Sequence, residues 1–222
     1  MPQWLTILSW VAVGLGLATA LAVAIDVGRH PQHTKIMSIV WPVTGLYFPL
    51  IGWWLYQAMG RPMAIDAPRM HAEKPRWRSV FLSATHCGSG CVLGDIIGAP
   101  IVLAAGLTIA GERLFGEYVV EFAIAYLFGI AFQYLPIRAM RAVPPLEAVL
   151  EAVKADTLSL VAFEVGMFGW MAVMSFLLFA AHPPEASTIV FWFMMQIGMV
   201  LGFATAYPAN WLLVKWGVKP GM

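Results

Sequence analysis

Charge is scarce in this chain. Asp, Glu, Lys and Arg make up 11% of its 222 residues, against about 25% in a soluble globular domain. No hydrophilic stretch is long enough to fold as a separate soluble unit, so residues 1–222 read as a single integral membrane domain. Cysteine is scarcer still: Cys87 and Cys91 are the whole complement and share one short motif. That excludes a disulfide framework. The chain has no phosphate-binding loop, no nucleophile elbow and no basic stripe, so nothing points to nucleic acid. A net charge of +1 selects no class of charged partner. Met1-Pro-Gln-Trp supplies no positive n-region, and the apolar run after it exceeds a signal peptide's h-region. The first run is therefore expected to stay as a span.

Apolar residues fill the space that charge leaves. They make up 60% of the chain, with a mean hydropathy of +0.77 and ten Trp to anchor helix ends at the interface. A helix needs about 20 apolar residues to cross the hydrocarbon core. Six segments meet that length: Trp4–Ile25, Ile36–Met59, Phe81–Ala110, Tyr118–Leu135, Thr157–Ala181 and Thr188–Val214. The fold class is therefore all-α, a polytopic membrane bundle of about six helices. The run Pro144-Pro145-Leu-Glu-Ala-Val-Leu-Glu-Ala-Val-Lys predicts a short amphipathic helix on the membrane surface before the fifth span. Pro42, Pro49 and Pro208 predict kinks or breaks. Gly88 and Gly90 weaken helix over Ser83–Gly90, which reads as loop or re-entrant chain.

Six spans divide Lys and Arg unevenly. Arg29, Lys35 and Arg113 fall on one side; Arg61, Arg69, Lys74, Arg76, Arg78, Arg138, Arg141, Lys154, Lys215 and Lys219 fall on the other. Three against ten predicts both termini in the cytoplasm, with the protein in a plasma (inner) membrane.

The sharpest chemistry lies in Ser83–Pro100, which carries His86, Cys87, Cys91 and Asp95. The two thiols and the acid follow one another at i, i+4 and i+8, each a helical turn above the last. Thiolate and imidazole suit a soft or borderline ion, Cu(I) or Zn(II). Gly90, Gly94 and Gly98 repeat the same spacing and predict a close helix contact, within the chain or in a homo-oligomer. Glu164 lies about two turns inside the fifth span, where an acid costs about 2.5–3.5 kcal/mol on insertion scales. It marks a buried ligand or proton carrier. Met167, Met171 and Met174 share its face, and Met195 and Met199 form a second i, i+4 pair. Thioethers favour Cu(I), although methionine also serves as a common filler of apolar cores. Asp156-Thr157 reads as a helix cap at the membrane surface, and Glu121 as an interfacial carboxylate.

Three functions follow as expectations. The first is a membrane transporter or metal-binding protein for a soft transition-metal ion, with His86, Cys87, Cys91, Asp95, Glu164, Met167, Met171, Met195 and Met199 as its candidate ligands. The second is a thiol/quinone oxidoreductase cycling Cys87 and Cys91. The third is a proton or small-solute channel or transporter built on Asp95 and Glu164. Besides metal ion or solute, the expected partner is the lipid bilayer.

Four blocks carry a resemblance: His86–Gly98, Ala125–Tyr134, Lys154–Trp170, and Phe193-Met-Met-Gln through Ala206–Trp211. From Trp41-Pro42 to the end, the chain resembles an uncharacterised bacterial multi-spanning membrane protein family (domain of unknown function 4396). The resemblance implies a bacterial multi-spanning protein and supplies no activity.

Overall fold

The computed structural model describes residues 1–67, 75–140 and 143–219. Their architecture is all-helical, as expected. Five helices are long and apolar enough to cross a membrane. They are α1 (Gln3–Arg29), α4 (Arg76–Ala105), α5 (Arg113–Met140), α6 (Pro145–Val173) and α7 (Ile189–Lys215). Between α1 and α4 lie two shorter helices, α2 (Met37–Tyr47) and α3 (Ile51–Leu55). A π-helical turn, Tyr56–Gly60, prolongs α3, and a second π turn, Met174–Leu178, prolongs α6.

The second predicted span is the main departure. Ile36–Met59 enters and leaves on one face. Its flanks meet: Gln32 pairs with Ala64, and the Ile65 N–H donates to the Pro31 carbonyl at 2.9 Å. His30 Nδ1 lies 2.6 Å from Asp66, while Tyr56 donates its hydroxyl to Asp26 at 2.7 Å. The turn comes at Phe48-Pro49-Leu50, where Leu50 adopts a left-handed φ of 61°. Such a conformation costs a non-glycine residue about 1–3 kcal/mol and must be held from outside. Thr19 of α1 holds it, accepting the Leu50 N–H at 3.0 Å. Gln196 of α7 donates to the Leu46 carbonyl. These side chains satisfy the backbone groups freed at the turn, as irregular chain at membrane depth requires. Thr19 lies about ten residues from Arg29, roughly 15 Å along α1, so the tip stops near mid-bilayer. Gly16 makes the approach possible: a Cβ there would meet the Leu46 oxygen at 2.5 Å.

Two further expectations change. Ser83–Gly90 is neither loop nor re-entrant; α4 runs unbroken from Arg76 to Ala105. Glycine's weak propensity yields because a backbone in hydrocarbon must satisfy its own hydrogen bonds. The predicted surface helix is not separate either, since Pro145 opens α6 and the same helix continues into the span. Pro208 lies inside α7 without ending it.

The re-entrant segment redistributes charge. On the face shared by its two ends, or in the half of a helix next to that face, lie Arg29, Lys35, Arg61, Arg76, Arg78, Arg138, Lys154, Lys215 and Lys219. Among the described residues only Arg113 lies toward the other face. Arg69, Lys74 and Arg141 lie outside the described residues.

The candidate acid and thiol line

Two helix pairs build the interior. α4 runs antiparallel to α5 in a fixed register, with Gly90 opposite Gly129, Gly94 opposite Ala125 and Gly98 opposite Glu121. A Cβ at Gly94 would meet the Ala125 nitrogen at 2.5 Å, and one at Gly98 would meet Glu121 Cγ at 2.7 Å. The glycine stripe is thus spent on an intramolecular contact. Its residues are buried, which corrects the expectation of a homo-oligomer through Gly90, Gly94 and Gly98. On the other side, α6 and α7 pack through Gly202, where a Cβ would meet the Phe163 carbonyl at 2.8 Å.

Between these helices runs a line of titratable groups. Asp156 of α6 is fully buried and accepts the Cys87 thiol at 2.9 Å. Cys91 lies one helical turn from both Cys87 and Asp95 on α4 and interacts with Glu164 of α6. Asp95 interacts with Glu164 and is about one turn from Gly98, which faces Glu121, and Glu117 is one turn from Glu121 on α5. Every member is less than a tenth exposed. Cys87 and Gly98, which faces Glu121, are about eleven residues apart on α4, roughly 16 Å. Glu117 adds another turn, for roughly 22 Å of a hydrocarbon core about 30 Å thick. Beyond Glu117, a cavity of about 270 Å³ opens at the face opposite the re-entrant ends. Arg113 and Glu185 pair at its rim at 2.6 Å.

The acids lack basic partners. Among the described residues, no Lys, Arg or His nitrogen lies within 4.0 Å of the Asp95, Glu121, Asp156 or Glu164 carboxylates. Among the described residues, both oxygens of Asp95 lack a hydrogen-bond partner, as does Asp156 Oδ2, and the Cys91 thiol is the one polar group set against Glu164. The re-entrant tip adds one more polar atom. Tyr47 is fully buried beside Cys87 and Cys91, and its hydroxyl is unpartnered.

Of the predicted site residues, Cys87, Cys91, Asp95 and Glu164 come together. His86 does not join them. Its Nε2 donates to the Phe132 carbonyl of α5 at 3.1 Å, and its ring packs edge-on against Phe132 at 5.9 Å. Met167, Met171, Met195 and Met199 are buried in the same apolar core as the two thiols. Among the described residues, no three His, Cys, Asp or Glu form a group able to hold a metal ion. Asp156, read as a surface cap, and Glu121, read as interfacial, are both interior members of the line. Their helical spacings, Asp156 to Glu164 at i+8 and Glu117 to Glu121 at i+4, were the available signals.

A family model described as "Domain of unknown function (DUF4396)" matches residues 76–219. Neither the curated proteins nor the solved structures yield a match. The matched stretch starts at the first residue of α4 and takes in α5, α6 and α7. It contains every acid and thiol of the line, with Tyr47 contributed from outside it.

Proposed function

The chain belongs to the DUF4396 family, whose description names no activity, and we propose that it is a multi-pass bacterial inner-membrane transporter that moves protons or small cations along this line. One observation carries the reading: Asp156, Cys87, Cys91, Glu164, Asp95, Glu121 and Glu117 neighbour one another in order through most of the bundle's depth. Buried acids without basic partners are costly, and in membranes such groups mark ion and proton routes. A carboxyl held there is neutral when it carries a proton or a bound cation, which makes it a station for either. Nine Lys or Arg against one supports a cytoplasmic location for the face shared by the re-entrant ends. Five crossings then support opposite sides for the termini, with the C-terminus cytoplasmic. This replaces the expectation of two cytoplasmic termini, which rested on six crossings.

The test is flux. Protein in liposomes carrying an internal pH-sensitive dye and a potassium diffusion potential should move protons faster than empty liposomes. Glu164→Gln and Asp95→Asn should each remove most of that flux. Wild type no leakier than empty liposomes, to protons and to monovalent cations alike, would refute the reading.

A soft metal ion is the second candidate cargo. It is favoured by the two thiols sharing a core with Met167, Met171, Met195 and Met199. Under reducing conditions, Cu(I) binding that disappears in a Cys87→Ser/Cys91→Ser variant would bring this reading forward.

A further inference from the structure

The end of the line nearest the C-terminus holds a positive charge of its own. α7 ends at Lys215, and Gly217, at a left-handed φ of 70°, turns the chain back toward the bundle. Lys219 is thereby carried inward and is 1% exposed. A lysine at a helix end would ordinarily extend its ammonium to water. Here Nζ donates to Asn210 Oδ1 at 3.0 Å and to the Ser83 carbonyl at 3.4 Å. Among the described residues no carboxylate lies within 4.0 Å of it.

The oxygens are set in advance. Asn210 Nδ2 donates to Ser159 Oγ at 2.6 Å and to the Ala206 carbonyl at 2.9 Å, which leaves Oδ1 facing the ammonium. Among the described residues, Ser83 Oγ and His86 Nδ1, both buried, have no partner. Ser83 is one turn from Cys87 on α4, and Ser159 is three residues from Asp156 on α6. A backbone carbonyl and an oriented amide oxygen beside a line of acids are the oxygen chemistry that holds a small cation.

We infer that this pocket is a binding site for a small monovalent cation, ammonium or an alkali-metal ion, and that the tethered ammonium of Lys219 fills it. Its role as the inner gate of the line rests on the transport reading. The occupancy of the pocket does not. Lys219 competes with the free cation and shields Cys87 behind it.

The experiment reads thiol modification by intact mass, with protein in nanodiscs. The probes are a cationic aminoethyl methanethiosulfonate and its anionic sulfonatoethyl counterpart, with a Cys91→Ser background isolating Cys87. Lys219→Met should accelerate the cationic reagent about tenfold or more, the scale of focusing by a cleft of one charge sign. The anionic reagent should gain far less. Lys219→Arg should stay protected. Potassium or ammonium should restore protection to Lys219→Met, and N-methylglucamine should not. Truncation after Val218 gives a second variant, with the ammonium removed and no apolar side chain put in its place. Equal rates with and without Lys219, or protection that no small cation restores, would overturn the site. Protection without flux in any variant would instead overturn the transport reading. Flux without protection would do the reverse.

Discussion

Adding one methyl group at Gly129 tests the geometry of the line. A Cβ there would collide with Asp156 Oδ2 and lie 3.1 Å from its Cγ. The carboxylate must then swing away from Cys87, whose thiol it accepts at 2.9 Å. Losing that hydrogen bond costs about 0.5–1.5 kcal/mol. Forcing the added carbon into a packed interior costs about 1–3 kcal/mol more. Alanine's better helix propensity returns up to about 1 kcal/mol. Gly129→Ala should therefore destabilise the protein by about 2–4 kcal/mol, within the sum of those terms. In an Asp156→Ala background the obstacle is gone, and only the Leu160 Cδ1 contact at 3.3 Å remains to resist the methyl. Gly129→Ala should then be close to neutral. Unfolding by sodium dodecyl sulfate titration into mixed micelles, run on all four variants, measures the coupling directly. Additivity within about 0.5 kcal/mol would mean that Gly129 and Asp156 do not meet, and the reasoning fails.

Three other outcomes are expected. Thr19→Val removes the acceptor of the Leu50 N–H and should cost about 1–3 kcal/mol, lowering the melting temperature by about 2–4 °C per kcal/mol. Thr6→Val, whose hydroxyl reaches only the Pro2 carbonyl just before α1, serves as the control. Single cysteines at the exposed flanking positions His33 and Ile65, in a Cys87→Ser/Cys91→Ser background, should react with an impermeant maleimide from the same side of sealed vesicles. Reaction from opposite sides would restore a sixth crossing. The His30 hydrogen bond, helped by Arg61, holds Asp66 below the usual carboxylate range. A lowered folded-state value gives stability that is present above the unfolded value and lost as pH falls through the folded one. Asp66→Asn should therefore flatten the acid limb of a melting-temperature profile measured in detergent, and an unchanged limb would count against the contact.

The helical membrane class was legible because a chain this poor in charge has few other ways to fold. The second segment was misread because 24 mostly apolar residues, Ile36–Met59, satisfy the length of a span on their own terms. Its turn depends on Thr19 and Gln196, which lie far away in sequence, so Pro49 read as a kink. α4 was underestimated for a related reason: glycine propensity is measured in water, and here α5 fills the space that the missing side chains leave. Cys87, Cys91, Asp95 and Glu164 were singled out because unusual residue types at helical spacing stand out against an apolar background. Asp156 was not, because Asp-Thr near a helix end has a cheaper local explanation. Lys219 offered no local signal; its burial follows from the left-handed turn at Gly217.

The depth of the line has an electrical consequence. An elementary charge crossing the whole membrane exchanges about 2.3 kcal/mol with the field per 100 mV. From Asp156 to Glu117 the titratable groups cover about two-thirds of the core, by the helix rise on α4. A proton that changes partners from one end to the other therefore does work of about 1.5 kcal/mol per 100 mV. Any charge displaced along this interior would therefore feel the membrane voltage.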